Sequence, residues 1–299
     1  MTPYLPDGVS QEQYPFTGKF LTLKSGPRMH YLDEGSGRPV VMIHGNPSWS
    51  FYYRDLVLAL RDHSRAIAPD HIGCGLSDKP GDGQYDYTLK NRVDDLEFLL
   101  DSLGVGEKIT LVVHDWGGMI GLAYAARHPE RIEKLVILNT GAFFLPHGKS
   151  FPAALRLCRT PLGALLIRGF NAFARGTAWI GCKRQRMSGE LRRAYAAPYN
   201  NWANRIATLR FVEDIPLAPG DKAYTIVEET QQKLDTLASL PMLICWGMKD
   251  FVFDRYFLEE WKRRFPGAEI HSYPDCGHYI LEDAKEEVLP LIKRFVENA

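Results

Sequence analysis

The chain has 299 residues, 45% of them hydrophobic, and its 36 Lys and Arg are matched by 36 Asp and Glu. That length and apolar content support one large α/β core, or a core with one inserted subdomain. The charge balance excludes a global field that would recruit nucleic acid or an anionic membrane.

Other bulk features narrow the field further. The first thirty residues lack the apolar stretch of a signal peptide, and no run approaches the roughly 18 apolar residues of a membrane span. A soluble, cytoplasmic protein is expected. Cys74, Cys158, Cys182, Cys245 and Cys276 are odd in number and lack CxxC spacing, which predicts free thiols in a reducing compartment. The run "KRQR" at 183–186 reads as solvated surface. No metal-ligand cluster or phosphate-binding glycine loop occurs, so neither metal nor cofactor is expected.

In chain order, "KFLTL" (19–23) and "RMHYLD" (28–33) alternate and predict a short antiparallel pair. "VVMI" (40–43) is continuously apolar and predicts a strand buried on both faces. "AIAP" (66–69), "ITLVVH" (109–114), "KLVILN" (134–139), "MLICW" (242–246) and "EIHSY" (269–273) predict further strands, about eight in all. Helical patterns lie between them. The clearest is 88–104, where Thr88 caps, Leu89, Val93, Leu96, Leu100 and Leu103 recur at helical spacing, and Gly104 stops the helix. Strand and helix alternating over this length predict a mostly parallel sheet flanked by helices.

The rhythm breaks between about Pro146 and Asp214. No strand pattern occurs there, only short helical stretches such as "AALRLC", "LIRGFNAFARG" and "ELRRAYAAPYNNWANRIATLRF". The expected organisation is an α/β core of residues 1–145 and 215–299, with 146–214 inserted as a helical cap over the C-terminal sheet edge, where such folds place their sites.

The stretch "VVHDWGGMIG" (112–121) carries the chemistry. A strand, a residue at a tight bend and small residues before a helix form a nucleophile elbow, usually GxSxG. Here Val113 replaces the first glycine and Asp115 the serine, so a carboxylate stands at the sheet edge with a helix N-terminus behind it and is expected to stay ionised. Taken alone, Asp115 could equally be a helix N-cap. A nucleophile needs a base and an orienting acid further along the chain. His278 in "DCGHYILED" follows the last strand, and Asp250 in "WGMKDFVFD" follows the one before it, in the order nucleophile, acid, histidine. Asp254 competes with Asp250 for the acid's role but reads better as the cap of the next helix. "HGNPSW" (44–49) follows the first parallel strand. Its backbone N–H groups, with that of Trp116, suit an oxyanion hole, and the side chains of Asn46 and Trp116 add two neutral donors that suit a departing anion.

Together, "HGNPSWSFYYR", "DHIGCGLSDKP", "YDYTLKNRVDDLEFLLDSLG", "VVHDWGGMIG", "HPERI", "WGMKDFVFD" and "CGHYILED" resemble the haloalkane dehalogenase superfamily of α/β hydrolases over nearly the whole chain. The resemblance implies an α/β-hydrolase fold with Asp115 as nucleophile, His278 as base, Asp250 as acid, and Asn46 with Trp116 as halide donors. Asn46 with a late acid looks like the third dehalogenase subfamily. Some members place the acid after the strand before the cap, but here that place reads "LNTGAF". Others take a second tryptophan from the cap, for which Trp179 is the candidate. The implied reaction is displacement of halide from an sp³ carbon of a small apolar substrate by Asp115, then hydrolysis of the alkyl ester by water that His278 activates, releasing alcohol and halide ion. The chain is also similar to the β-lactone decarboxylases of bacterial long-chain olefin biosynthesis, which stand as the alternative: a cis-alkene and CO2 from a β-lactone. Epoxide hydrolases are a second alternative, for which Tyr195, Tyr199 and Tyr224 are the candidate proton donors. The sequence leaves a homo-oligomer open.

Overall fold

The computed structural model describes residues 5–298. Among these residues eight strands form one sheet: β1 Lys19–Thr22, β2 Arg28–Glu34, β3 Pro39–Ile43, β4 Arg65–Pro69, β5 Ile109–Asp115, β6 Ile132–Thr140, β7 Met242–Gly247 and β8 Glu269–Tyr273, in the order β1-β2-β4-β3-β5-β6-β7-β8. The β1/β2 and β2/β4 pairs are antiparallel and the remaining neighbours parallel. This is the α/β-hydrolase arrangement.

The central strands are apolar through their middles because both of their faces are covered. In β5 and β6, Leu111, Val113, Leu135 and Ile137 enter one core, while Val112, Val136 and Leu138 enter the other. That alternation is the period of two expected of a strand. The helices are α1 Arg54–Leu60, α2 Leu89–Ser102, α3 Trp116–Arg127, α4 Ala153–Cys158, α5 Pro161–Phe170, α6 Ala172–Ile180, α7 Gly189–Ala196, α8 Ile206–Glu213, α9 Tyr224–Lys233, α10 Arg255–Arg264, α11 Ile280–Asp283 and α12 Lys285–Glu297. Thr88 Oγ1 caps α2 by accepting from Asn91 N–H, and Gly104 follows the helix at φ +65°, a conformation that favours glycine.

Between β6 and β7 the segment 146–214 carries α4 to α8, with no strand among the described residues. The stretch "LIRGFNAFARG" is not one helix. Asn171 stands in the left-handed region at φ +55° and separates α5 from α6, a place asparagine accepts more readily than most side chains. No helix among the described residues is long and apolar enough to cross a membrane.

Candidate active site

The elbow is built by close packing. Ideal β-carbons on Gly117 and Gly118 would lie 1.9 Å from the Ile43 carbonyl oxygen and 1.8 Å from Thr140 Oγ1, so only glycine lets α3 start against β3 and β6. Between strand and helix, Asp115 takes φ +52° and ψ −127°, a strained conformation for a non-glycine residue. Its backbone is held by the Thr140 hydroxyl, which donates to the Asp115 carbonyl, while Trp261 Nε1 donates to the Thr140 carbonyl over 2.8 Å. The Asp115 side chain makes no helix-capping bond; instead Oδ1 accepts the backbone N–H of Asn46 at 2.6 Å. A β-carbon on Gly45 would stand 2.1 Å from that same oxygen. The N-cap alternative is thereby replaced by a carboxylate presented to the cavity.

Three strand ends converge here. Asp115 ends β5, Asp250 follows β7, and His278 follows β8. His278 Nδ1 lies 2.8 Å from Asp250 Oδ2, and Nε2 lies 3.7 Å from Asp115 Oδ2. Asp250 Oδ1 accepts the backbone N–H groups of Val252 and Phe253, which fixes the carboxylate for the imidazole. All three side chains are buried. Burial raises the Asp115 carboxyl above its ordinary value, although His278 and the backbone N–H groups of Trp116 and Asn46 pull it down. For His278, burial disfavours the charged ring, yet Asp250 and Asp115 outweigh that and raise its pKa.

Asp115, Asn46, Trp116 and His278 form the floor of a cavity of ≈ 130 Å³. Its walls are apolar, chiefly Phe143, Phe144, Phe151, Phe173, Phe253 and Phe257. Asn46 departs from expectation in part: its Nδ2 donates to the backbone carbonyl of Thr208 in α8 at 3.0 Å, which leaves one N–H of that amide for a departing anion. Trp116 lines the cavity and has no hydrogen-bond partner for Nε1 among the described residues.

Several candidates lie elsewhere. Trp179 is 51% exposed and stacked under Arg186 and Arg192, outside the cavity, because α6 turns that face to solvent. Asp254 caps α10 by accepting from Tyr256 N–H and pairs with Lys149, as the sequence suggested. Neither Tyr195, Tyr199 nor Tyr224 lines the cavity. Tyr195 donates to Glu282, Tyr199 to the Ser48 carbonyl, and Tyr224 packs on Phe144. The epoxide alternative loses these proton donors: the Tyr195 and Tyr199 hydroxyls are committed to joining the segment 146–214 to the rest of the molecule, and Tyr224, in α9 beyond that segment, is packed on Phe144.

Sequence reasoning missed the residues that position the triad. Asn139, in the "LNTGAF" turn, exchanges two hydrogen bonds with Gly247, at 3.0 and 2.8 Å, and so ties the ends of β6 and β7 together just before Asp250. Asp283 accepts the Gly277 N–H at 2.6 Å and the N–H groups of Lys183, Arg184 and Gln185, which joins the His278 loop to the segment 146–214. The backbone of "KRQR" is thus anchored even where its side chains are solvated. His114 Nε2 meets the His278 carbonyl at 2.9 Å, and burial holds this imidazole well below its ordinary pKa, hence neutral. A buried polar residue announces itself in a sequence only by type; its partner, 164 positions away for His114, does not.

The arrangement can deliver a carboxylate to an electrophilic carbon, orient an imidazole behind it, and receive an anion opposite. Residues 38–285 match the family described as alpha/beta hydrolase fold. The chain is 62% identical over 283 residues to the cis-3-alkyl-4-alkyloxetan-2-one decarboxylase of Shewanella oneidensis, covering 94% of this chain and 89% of that protein. It is 31% identical to haloalkane dehalogenase 2 of Mycobacterium bovis, covering 94% and 96% of the two chains. The crystal structure of haloalkane dehalogenase DbeA from Bradyrhizobium elkani superposes with a TM-score of 0.80 at 26% identity, covering 93% of this chain and 96% of that one. With elbow, sheet order and these likenesses agreeing, the chain belongs to the alpha/beta hydrolase fold family and, within it, to the haloalkane dehalogenase superfamily.

Proposed function

We propose that this enzyme decarboxylates a cis-3-alkyl-4-alkyloxetan-2-one, a four-membered lactone, to a cis-alkene and carbon dioxide. The observation that carries this reading is the 62% identity to a protein of that name over 94% of the chain, against 31% for the dehalogenase. The order suggested by sequence, haloalkane first and β-lactone second, is therefore reversed. A cavity walled by phenylalanines, Phe151 and Phe173 from the segment 146–214 that we take as the cap and Phe143, Phe144, Phe253 and Phe257 from outside it, suits two alkyl chains.

The chemistry follows from the residues present. Asp115 attacks the ring carbon that bears oxygen, that C–O bond breaks, and the ring opens to a carboxylate leaving on the far side. Trp116 Nε1 and the free N–H of Asn46 receive it, as they would a halide. The carboxylate then departs as CO2. Its C–C electron pair becomes the alkene π bond while the bond to Asp115 breaks, which restores the aspartate. Inversion in the first step and anti elimination in the second convert a cis lactone into a cis alkene. No water is consumed. His278, held by Asp250 and favouring the charged form, stabilises Asp115 as the leaving carboxylate. On a haloalkane the same residues would stop at an alkyl ester, and His278 would have to act as a base toward water.

The deciding experiment presents purified protein with a long-chain cis-3,4-dialkyloxetan-2-one and, in parallel, 1-bromobutane, reading alkene by gas chromatography and bromide release. Alkene at a far higher kcat/KM than bromide is expected. Bromide release without alkene overturns the reading in favour of the dehalogenase.

A further inference from the structure

The zero net charge conceals a division. Residues 146–214 carry twelve Lys and Arg against three Asp and Glu, so the remainder of the chain carries 24 against 33. Segment and remainder therefore differ by nine charges of opposite sign from neutrality. Some of the basic groups are paired to the core, such as Arg184 with Asp275 and Glu287, and Arg210 with Asp82. Arg156 and Arg175 are exposed and make no ion pair among the described residues.

The same segment holds most of the exposed large apolar side chains of the molecule: Leu157, Leu162, Leu165, Phe170, Trp179, Ile180 and Trp202. Their arrangement on α5 is ordered. Its sequence, PLGALLIRGF, buries Gly163 and Ile167 against neighbouring helices and turns Leu162, Leu165 and Phe170 outward, the last 65% exposed. A helix apolar on both faces belongs in a protein interior or in lipid, and a helix on a soluble surface would carry polar residues on its outer stripe. Trp202 extends this stripe: a β-carbon on Gly169 would lie 3.6 Å from Leu165 Cδ1 and 3.8 Å from the Trp202 ring. The Arg168 guanidinium covers that ring at 4.7 Å. Leu, Phe and Trp flanked by arginine are the composition of a surface that sits at a bilayer interface, apolar groups below the headgroups and guanidinium groups among the phosphates.

We infer that the outer stripe of α5, with Leu157 and Trp202 beside it, docks this enzyme on an anionic lipid bilayer. Charge selects this occupant over a second copy docked face to face, because two such basic faces would repel. The position of the stripe gives the docking a use. Helix α4 presents Leu155 to the cavity and Leu157 to the outside, and Phe173 continues from α5 into the cavity wall. An apolar substrate dissolved in the bilayer would therefore reach the cavity past residues that are themselves in lipid. Docking depends on no particular reaction, and its test reads binding alone.

The test is co-sedimentation of the full chain with vesicles of phosphatidylcholine containing phosphatidylglycerol, against vesicles of phosphatidylcholine only. Binding to the anionic vesicles that weakens as salt is raised is expected. The L162Q/L165Q/F170Q variant should lose binding by roughly tenfold or more, since it removes three side chains of buried apolar surface. R156Q should lose roughly fivefold, the worth of one basic residue near such a surface. These exposed positions do not line the cavity, so the circular dichroism spectrum and turnover of a short, water-soluble substrate should be unchanged. Wild type that stays in the supernatant with both vesicle types overturns the inference. So does vesicle binding undiminished in the triple variant, and so does a stable dimer in light scattering that the triple variant dissolves.

Discussion

The sheet core and the helical segment above it follow opposite rules. In the core, each group to which we assign chemistry stands at or follows the end of a strand, and its geometry is set by backbone: Asp115 by the strained turn after β5, Asp250 by two N–H groups after β7, His278 by the loop that Asp283 holds. In the segment 146–214, helices are short, joined by turns, apolar inside and partly apolar outside, and lightly supplied with acid. Its contribution to the cavity is walls such as Leu155 and Phe173, with one backbone carbonyl, that of Thr208, reaching the site through Asn46. Reactive groups need fixed positions to within fractions of an ångström, which a sheet provides, whereas a wall that admits alkyl chains needs only volume and apolarity. Substitutions in the core should accordingly change the chemical step, and those in the segment 146–214 should change which substrate enters.

The largest effect is expected at Asp115, the nucleophile of the proposed reaction. Asp115→Asn should reduce turnover of any substrate by roughly 10⁴- to 10⁶-fold, the range seen when one member of a catalytic triad is removed, with an unchanged melting temperature. Residual activity near that of the wild type would break the comparison at its root.

A core donor comes next. Trp116→Phe should lower kcat by roughly 10²-fold, because the departing anion loses a preorganised hydrogen bond. Comparable losses on lactone and bromoalkane would show that both use the same donor.

The pH profile sharpens the assignment of His278. Attack requires ionised Asp115, whose pKa is raised by burial, so activity is lost as pH falls through that raised value. If His278 must also be neutral, as for ester hydrolysis, its raised pKa imposes a second acidic limb above the ordinary 6.5 of histidine. The proposed decarboxylation needs no base. Its kcat/KM should accordingly hold on the acid side of that limb, and initial rates on lactone and bromoalkane from pH 5 to 9 would separate the two cases.

The cap should respond differently. Phe173→Ala is expected to raise KM for a long-chain substrate roughly tenfold while leaving kcat nearly unchanged, the worth of apolar contacts in a binding pocket. A fall in kcat instead would place this helix in the chemical step. The smallest effect is expected at Trp179→Ala: turnover within about twofold of wild type, as for a surface substitution, since this tryptophan stands outside the cavity. A large loss of bromide release would return it to the role first suggested for it.

Much of this was legible in the chain. All eight strands appear where runs of apolar or alternating residues place them, and Thr88 and Gly104 bound α2 as their chemistry requires. Asp115, His278 and Asp250 stand out because a turn or strand end, a residue type and an order along the chain coincide. Trp179 and the three tyrosines misled for a common reason. Side-chain type and a place in or just after the segment 146–214 were visible, but the face each helix turns to the cavity depends on how short helices pack, and Asn171 alters the path between α5 and α6. The amide of Asn46 was assigned to a departing anion because it joins Trp116 as a second neutral donor; its backbone partner, Thr208, lies 162 residues away and left no trace near it in sequence.

The sequence by itself determined the sheet, the elbow and the three residues to which we assign the reaction, because periodicity and turn chemistry are local and a strand exposes its end residue whatever lies above it. The tertiary structure alone decided the direction of each cap side chain, the joining of the His278 loop to the cap through Asp283, and the division of the donors of Asn46 between Thr208 and the cavity. Each of these depends on contacts between residues far apart in the chain, whose meeting is fixed only when the whole core has packed.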